Sequence, residues 1–219
     1  MKPYVKICCI ASRDEAALAM SLGASALGFV SAMPSGPGPI PDELIAEIVA
    51  TIPPPIATFL LTCRQDAEGI VHQHASCRTS TLQLVDSVAP AELRRLRVAL
   101  PGIKLVQVIH VCDESSIDEA RTVAPYVDAL LLDSGNQKLA VKELGGTGRV
   151  HDWRISRRIR DAVRVPLFLA GGLNAGNVAS AIAAVEPHGI DVCSGVRTDG
   201  RLDETKLRAF MKMGSDPSC

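Results

Sequence analysis

Eight short apolar, β-rich runs recur along this chain, and a helical pattern follows each of them. The runs are YVKICCI (4–10), ALGFV (26–30), IATFLL (56–61), TLQLV (81–85), KLVQVIHV (104–111), DALLLD (128–133), PLFLA (166–170) and GIDVCSG (189–195). Between them lie SRDEAALAMSLGA, PDELIAEIVATI, RQDAEGIVHQHA, APAELRRLRVAL, SSIDEARTVA, DWRISRRIRDAV and NAGNVASAIAAV, and DETKLRAFMKM closes the series. Most space their apolar residues at helical intervals; RQDAEGIVHQHA is the weakest of the set. Ser12 is placed to cap the first helix, which carries acids in its first turn and stops near Gly23. Eight strand–helix units in 219 residues predict an α/β fold, a (β/α)8 TIM barrel with short loops. A doubly wound open sheet shares the local pattern but rarely needs eight such regular units.

No linker interrupts the alternation, so residues 1–213 are expected to form one barrel domain, with 214–219 a disordered tail. MPSGPGPIP, between the second strand and its helix, reads as a loop on the active face. The chain is 47% hydrophobic but only 3% aromatic, so its core must be aliphatic. A formal charge of -1 offers no electrostatic case for binding nucleic acid or an anionic membrane. No run approaches the ~18 apolar residues of a spanning helix, and the N-terminus lacks a signal-peptide pattern. Seven cysteines without CxxC spacing suit reduced thiols in a cytoplasm.

A barrel carries its chemistry at the C-terminal ends of its strands and in the loops beyond. Cys8, Asp133, the glycines of 145–148, AGG at 170–172 and SGV at 194–196 all fall there. Glycines in consecutive loops let backbone amides approach an anion closely, and the loops after strands seven and eight are the usual phosphate site of such barrels. A phosphorylated small molecule is therefore the expected ligand, held by Gly145, Gly146, Thr147, Gly148, Gly171, Gly172, Ser194, Gly195 and Val196. The alternative is a set of purely structural turns.

VKICCIAS poses a different question, because it sets a lysine and two adjacent thiols in a core strand. Strict alternation puts Lys6, Cys8 and Ile10 on one face and Val5, Ile7 and Cys9 on the other. One thiol then shares the side of Lys6, whose ammonium would raise its thiolate fraction. The alternative role for Lys6 is pairing with a carboxylate lower in the barrel.

Taken in order, VKIC, GFV, LQL, LLLDS, GGTGRVHDW, LAGGLNAGNV and DVCSGVRTDG resemble the phosphoribosylanthranilate isomerase family of tryptophan biosynthesis. The resemblance implies an Amadori rearrangement of N-(5-phosphoribosyl)anthranilate, an aminoaldose, to the 1-deoxyribulose phosphate aminoketose. It implies Cys8 as general base and Asp133 as general acid, with Lys6 and Gln83 among the substrate-binding residues. It calls for no metal or organic cofactor, because the substrate nitrogen serves as electron sink, and it implies a monomer or homodimer. Without it, Asp133 could be a capping carboxylate and Cys8 an inert buried thiol.

The chain departs from the family at four places. Pro37 stands where the family has a loop arginine near the substrate carboxylate, and Val85-Asp86 replaces His-Gly after Gln83-Leu84. Cys9 replaces a glycine, and Arg197 stands where an acid is common. Arg197 or Arg64 could offset the missing guanidinium. Two other readings therefore stay open, an isomerase of a different phosphorylated aminosugar and an inactive phosphometabolite-binding barrel. Cys63, His72, His74 and Cys77 suggest zinc only weakly, since i and i+2 positions on a helix do not meet. His151 and Trp153 are expected to anchor their loop, and RISRRIRDAVR to form a solvated helix face.

Overall fold

Every one of the eight runs is a strand in the computed structural model, which describes residues 3–137 and 139–214. They are β1 (Tyr4–Ile7), β2 (Ala26–Val30), β3 (Ala57–Thr62), β4 (Thr81–Leu84), β5 (Lys104–His110), β6 (Ala129–Asp133), β7 (Leu167–Leu169) and β8 (Gly189–Val192). All pair in parallel, each with its sequence neighbours, and β1 also pairs with β8, closing the barrel. Helices α1 (Arg13–Ser21), α2 (Asp42–Val49), α3 (Ala67–Cys77), α4 (Pro90–Ala99), α5 (Ser115–Val123), α6 (Trp153–Ala162), α7 (Val178–Val185) and α8 (Glu204–Met213) follow them in turn. Arg197–Thr198 and Arg201–Leu202 add a small hairpin before α8.

Two-residue alternation divides the strands between two cores. Ala26, Val30, Phe59, Leu61, Val106, Val108, Ala129, Leu131 and Phe168 fill the barrel interior. Leu27, Phe29, Leu60, Leu105, Ile109, Leu130, Leu132, Leu167 and Ile190 point outward against the helices. Both sets follow from the pleat, in which successive side chains leave by opposite faces. Tyr4 and Phe59 meet Phe168 edge-on, at 5.8 and 6.1 Å between ring centres.

The start of α1 forms as its residues suggest. Ser12 Oγ accepts the Glu15 amide at 3.1 Å, and Glu15 reaches back to accept the Ala11 amide at 3.0 Å, a variant of the capping box. Gly23 ends the turn at φ 93°. Helix α3, the weakest prospect in sequence, is the longest described, and Asp66 caps it by accepting the Gly69 amide. Helix α7 begins later than its pattern indicates: Asn174 and Asn177 bond back to Gly172 O and form a turn. At the expected tail, Gly214 is buried and donates to Phe210 O; 215–219 lie outside the described residues. Among the described residues no helix is long and apolar enough to cross a membrane.

Candidate active site

One cleft of about 650 Å³, counted to its open mouth, sits at the C-terminal ends of the strands. Its wall includes Cys8, Gln83, Asp133, Gly145, Gly146, Thr147, Gly148, Gly171, Gly172 and Ser194, all foreseen in the sequence. Cys8 follows β1 and Asp133 ends β6, so three strand steps round the barrel separate them.

Beneath Cys8 lies Lys6, wholly buried, and it does not reach the wall as a ligand contact. Its Nζ meets Asp191 Oδ2 at 2.9 Å and lies 5.3 Å from the centre of the Phe59 ring. Lys6 and Asp191 face each other across the β1–β8 seam, in register. A charged residue in each of two adjacent buried strands was the available signal for this pair, which the sequence reading left without a named acid. Space for the lysine comes from Gly28, where a Cβ would stand 2.9 Å from Nζ and 3.0 Å from Cys8 Sγ. Burial opposes the charge on Lys6, yet the Asp191 carboxylate holds Lys6 above its ordinary value, while burial raises Asp191 against the pull of Lys6. The 2.9 Å contact decides in favour of the ionised pair, since an unpaired charge of either sign would be far costlier there. Asp191 Oδ1 has no partner and Asp191 lines the cleft, so an acceptor stands ready for a ligand hydroxyl. Gln83 presents an unpartnered Oε1 to the same cleft.

Strict alternation fails at Cys9. Its φ of 61° turns the chain, so Cys9 joins Cys8 in the inner cluster while Ile10 packs outside with the helices. Both thiols are thus on the lysine side. The Cys9 thiol, followed by the Lys6 ammonium, draws the Cys8 thiol below its ordinary value against the opposing effect of burial. A left-handed backbone is uncommon for a residue with a Cβ, and Arg197 holds it. Its guanidinium donates to Cys8 O at 3.1 Å, Cys9 O at 2.5 Å, Gly200 O at 2.9 Å and Glu15 Oε1 at 2.9 Å. Arg197 is therefore a clamp under the site and no substitute for the missing loop arginine; exposed Arg64 does not line the cleft either.

Three loops, after β6, β7 and β8, form the neighbouring rim. A Cβ at Gly195 would fall 1.9 Å from Leu173 O, and one at Gly172 would fall 2.7 Å from the Arg149 carbonyl carbon. Only glycine lets the loops after β6, β7 and β8 pack this closely. Gly195 borders the cleft without lining it, and Val196 turns its side chain into the outer core. Over Asp133 lies Gly145, at φ 118°, where a Cβ would stand 2.5 Å from Oδ2. Asp133 Oδ1 accepts the Ser134 amide at 2.7 Å, and Ser134 Oγ meets Thr147 Oγ1 at 2.7 Å.

The β6–α6 loop is pinned from two sides. Lys142 pairs with Asp86 at 2.5 Å, and Ser35 Oγ donates to Lys142 O at 2.6 Å. Val30, Met33, Pro37, Leu61 and Leu144 make the cleft partly apolar, and no Lys or Arg is among its described lining residues. Elsewhere, His74 Nε2 bonds Thr79 O, burial and then Asp42 push the Cys77 thiol up to about 12, and the described residues hold no metal-binding cluster. His151 bonds Ser156 Oγ at 2.7 Å and steadies the start of α6, whose arginines pair with Asp152, Asp161, Glu186 and Glu114.

The family model for N-(5'-phosphoribosyl)anthranilate (PRA) isomerase matches residues 5–213. An N-(5'-phosphoribosyl)anthranilate isomerase of Desulforudis audaxviator is 36% identical over 97% of this chain and 98% of its own. One from Methanocella arvoryzae is 34% identical over 95% and 96%. The solved phosphoribosyl anthranilate isomerase of Thermotoga maritima superposes with a TM-score of 0.83 at 28% identity, covering 97% of this chain and 98% of that one. Another solved isomerase, at a TM-score of 0.81, 27% identity and the same coverage, holds reduced 1-(o-carboxyphenylamino)-1-deoxyribulose 5-phosphate.

Proposed function

This chain belongs to the N-(5'-phosphoribosyl)anthranilate isomerase family, and from that premise we propose that it performs the Amadori rearrangement of phosphoribosylanthranilate in tryptophan biosynthesis. The observation that carries the reading is a thiol and a carboxyl from β1 and β6 in the wall of one cleft, with a glycine-lined rim on its β6–β8 side. The substrate phosphate lies on amides of the Gly148, Gly172 and Ser194–Gly195 loops, where backbone donors suit an anion. Its sugar then spans the space between Cys8 and Asp133.

Asp133 gives a proton to the furanose ring oxygen, and the ring opens to an iminium ion. Cys8, as thiolate, takes the proton from the adjacent carbon, and the resulting enolamine tautomerises to the ketone. Acid and base are separate groups, and solvent restores both after each turnover. The Lys6–Asp191 pair holds positive charge below Cys8, and Asp191 Oδ1 accepts a sugar hydroxyl. Val30, Met33, Leu61 and Leu144 pack the aromatic ring.

The absence of Lys and Arg from the described residues of the cleft wall favours a second reading at the aromatic end, an isomerase of a phosphorylated aminosugar lacking the anthranilate carboxylate. Incubation with phosphoribosylanthranilate, following the loss of its fluorescence, tests the first. Turnover supports it, and binding without turnover refutes it.

A further inference from the structure

We infer that Cys9 and Cys193 are a redox-modification site, a thiol pair that a peroxide closes into a disulfide across the β1–β8 seam. The two sulfurs stand 2.8 Å apart, closer than a thiol hydrogen bond normally holds them. They follow the two strands that close the barrel, and the seam fixes their spacing: β1 and β8 pair from Tyr4–Gly189 to Ile7–Val192, and the Cys8 amide donates to Val192 O at 2.8 Å. Arg197 clamps the Cys9 turn from below. Neither partner therefore needs a backbone rearrangement to approach bonding distance, the usual obstacle to a disulfide.

Access divides the roles. Cys193 is half-buried and lines the cleft, whereas Cys9 is 5% exposed, with Pro37 O 3.6 Å from its sulfur. The Cys193 sulfur attacks one peroxide oxygen, the O–O bond breaks, and Cys193 becomes a sulfenic acid with release of water. The Cys9 sulfur then attacks the sulfenic sulfur, the S–O bond breaks, and a second water leaves with the thiol proton. Two thiols are oxidised and one peroxide is reduced to two waters. Small thiols reverse the step by exchange.

The bond has a consequence for the neighbouring base. Cys9 is the group that most favours the Cys8 thiolate, and the disulfide removes its S–H. Isomerase turnover falls about tenfold, the scale of one charge-assisted hydrogen bond, and recovers with dithiothreitol. This consequence rests on the isomerase reading, whereas the bond itself does not.

The test separates them. The full chain is treated with one equivalent of hydrogen peroxide, remaining thiols are capped with N-ethylmaleimide, and the unreduced protein is digested for mass spectrometry. The peptide holding Cys8 and Cys9 is expected joined to the one holding Cys193, lighter by two hydrogens, with two fewer thiols capped and both effects undone by dithiothreitol. Cys8→Ser keeps the link; Cys9→Ser and Cys193→Ser lose it while retaining the circular dichroism of the folded chain. A Cys8–Cys9 link, a Cys8–Cys193 link, or independent capping of Cys9 and Cys193 overturns the proposal. A confirmed link in a protein without isomerase turnover sinks the functional reading alone.

Discussion

Replacing Lys6 by methionine removes the buried cation and leaves Asp191 alone in the barrel. Lys6 is wholly buried and Asp191 is 7% exposed, so breaking the pair costs about 3–5 kcal/mol of stability. The cost depends on pH. In Lys6→Met the folded state binds a proton on Asp191 more tightly than the unfolded chain, so stability falls as pH rises above the ordinary carboxylate range. The slope is about 1.4 kcal/mol per pH unit and ends where Asp191 ionises in the folded protein. Adding Asp191→Asn removes the stranded charge and restores most of the loss, but it does not restore the field at Cys8. The Gly28 geometry bounds the Lys6 Nζ–Cys8 Sγ distance at about 6 Å, worth about 3 kcal/mol at an effective dielectric constant of 20. Asp191 opposes part of this at Cys8 with a smaller effect, so about tenfold of thiolate remains at stake. Urea titrations from pH 4 to 8 read the stability, and pH profiles of kcat/KM read the thiol. The ascending limb of the double variant is expected about one pH unit higher than that of the parent. A double variant that is stable and keeps the parent limb refutes the role of Lys6.

Cys8→Ala and Asp133→Asn each lower kcat by about 10²–10⁴-fold while a product analogue still binds, as calorimetry would report; wild-type turnover in either removes it from the mechanism. Gly195→Ala forces Leu173 O aside and raises KM for the phosphorylated substrate about tenfold, whereas Gly102→Ala, with nothing within 4 Å of its new Cβ, leaves it unchanged; equal effects in steady-state assays contradict the cradle. Burial opposes the ionisation of Glu15, but Arg197 and the amides of Leu202 and Ala11 hold its carboxyl below the ordinary value. Its contribution to stability is present above that value and disappears as pH falls through the folded one, so Glu15→Gln flattens the acid limb measured by denaturant titration.

Much of the barrel was legible because its strands are short apolar runs with period-two alternation, and Ser12, Gly23 and the GGTG and AGG loops carry their own local reasons. The interior of the site was less so. Lys6 announced a buried cation, but its partner Asp191 lies 185 residues away and only barrel closure makes them neighbours. The alternation that assigned Cys8 to the lysine side misplaced Cys9, because one left-handed residue reverses every face after it. Arg197 looked available to a ligand in sequence; in the fold, three carbonyls and Glu15 occupy it. Pro37 was legible as a missing guanidinium; it lines the cleft, whose described lining residues include no Lys or Arg.

A crystal structure with a reduced, non-reacting product analogue bears most directly on the account. It is expected to show the phosphate on the amides around Gly172 and Gly195, with Cys8 Sγ and Asp133 within reach of the sugar from opposite sides. A phosphate bound elsewhere, or a sugar touched by only one of the two groups, contradicts it.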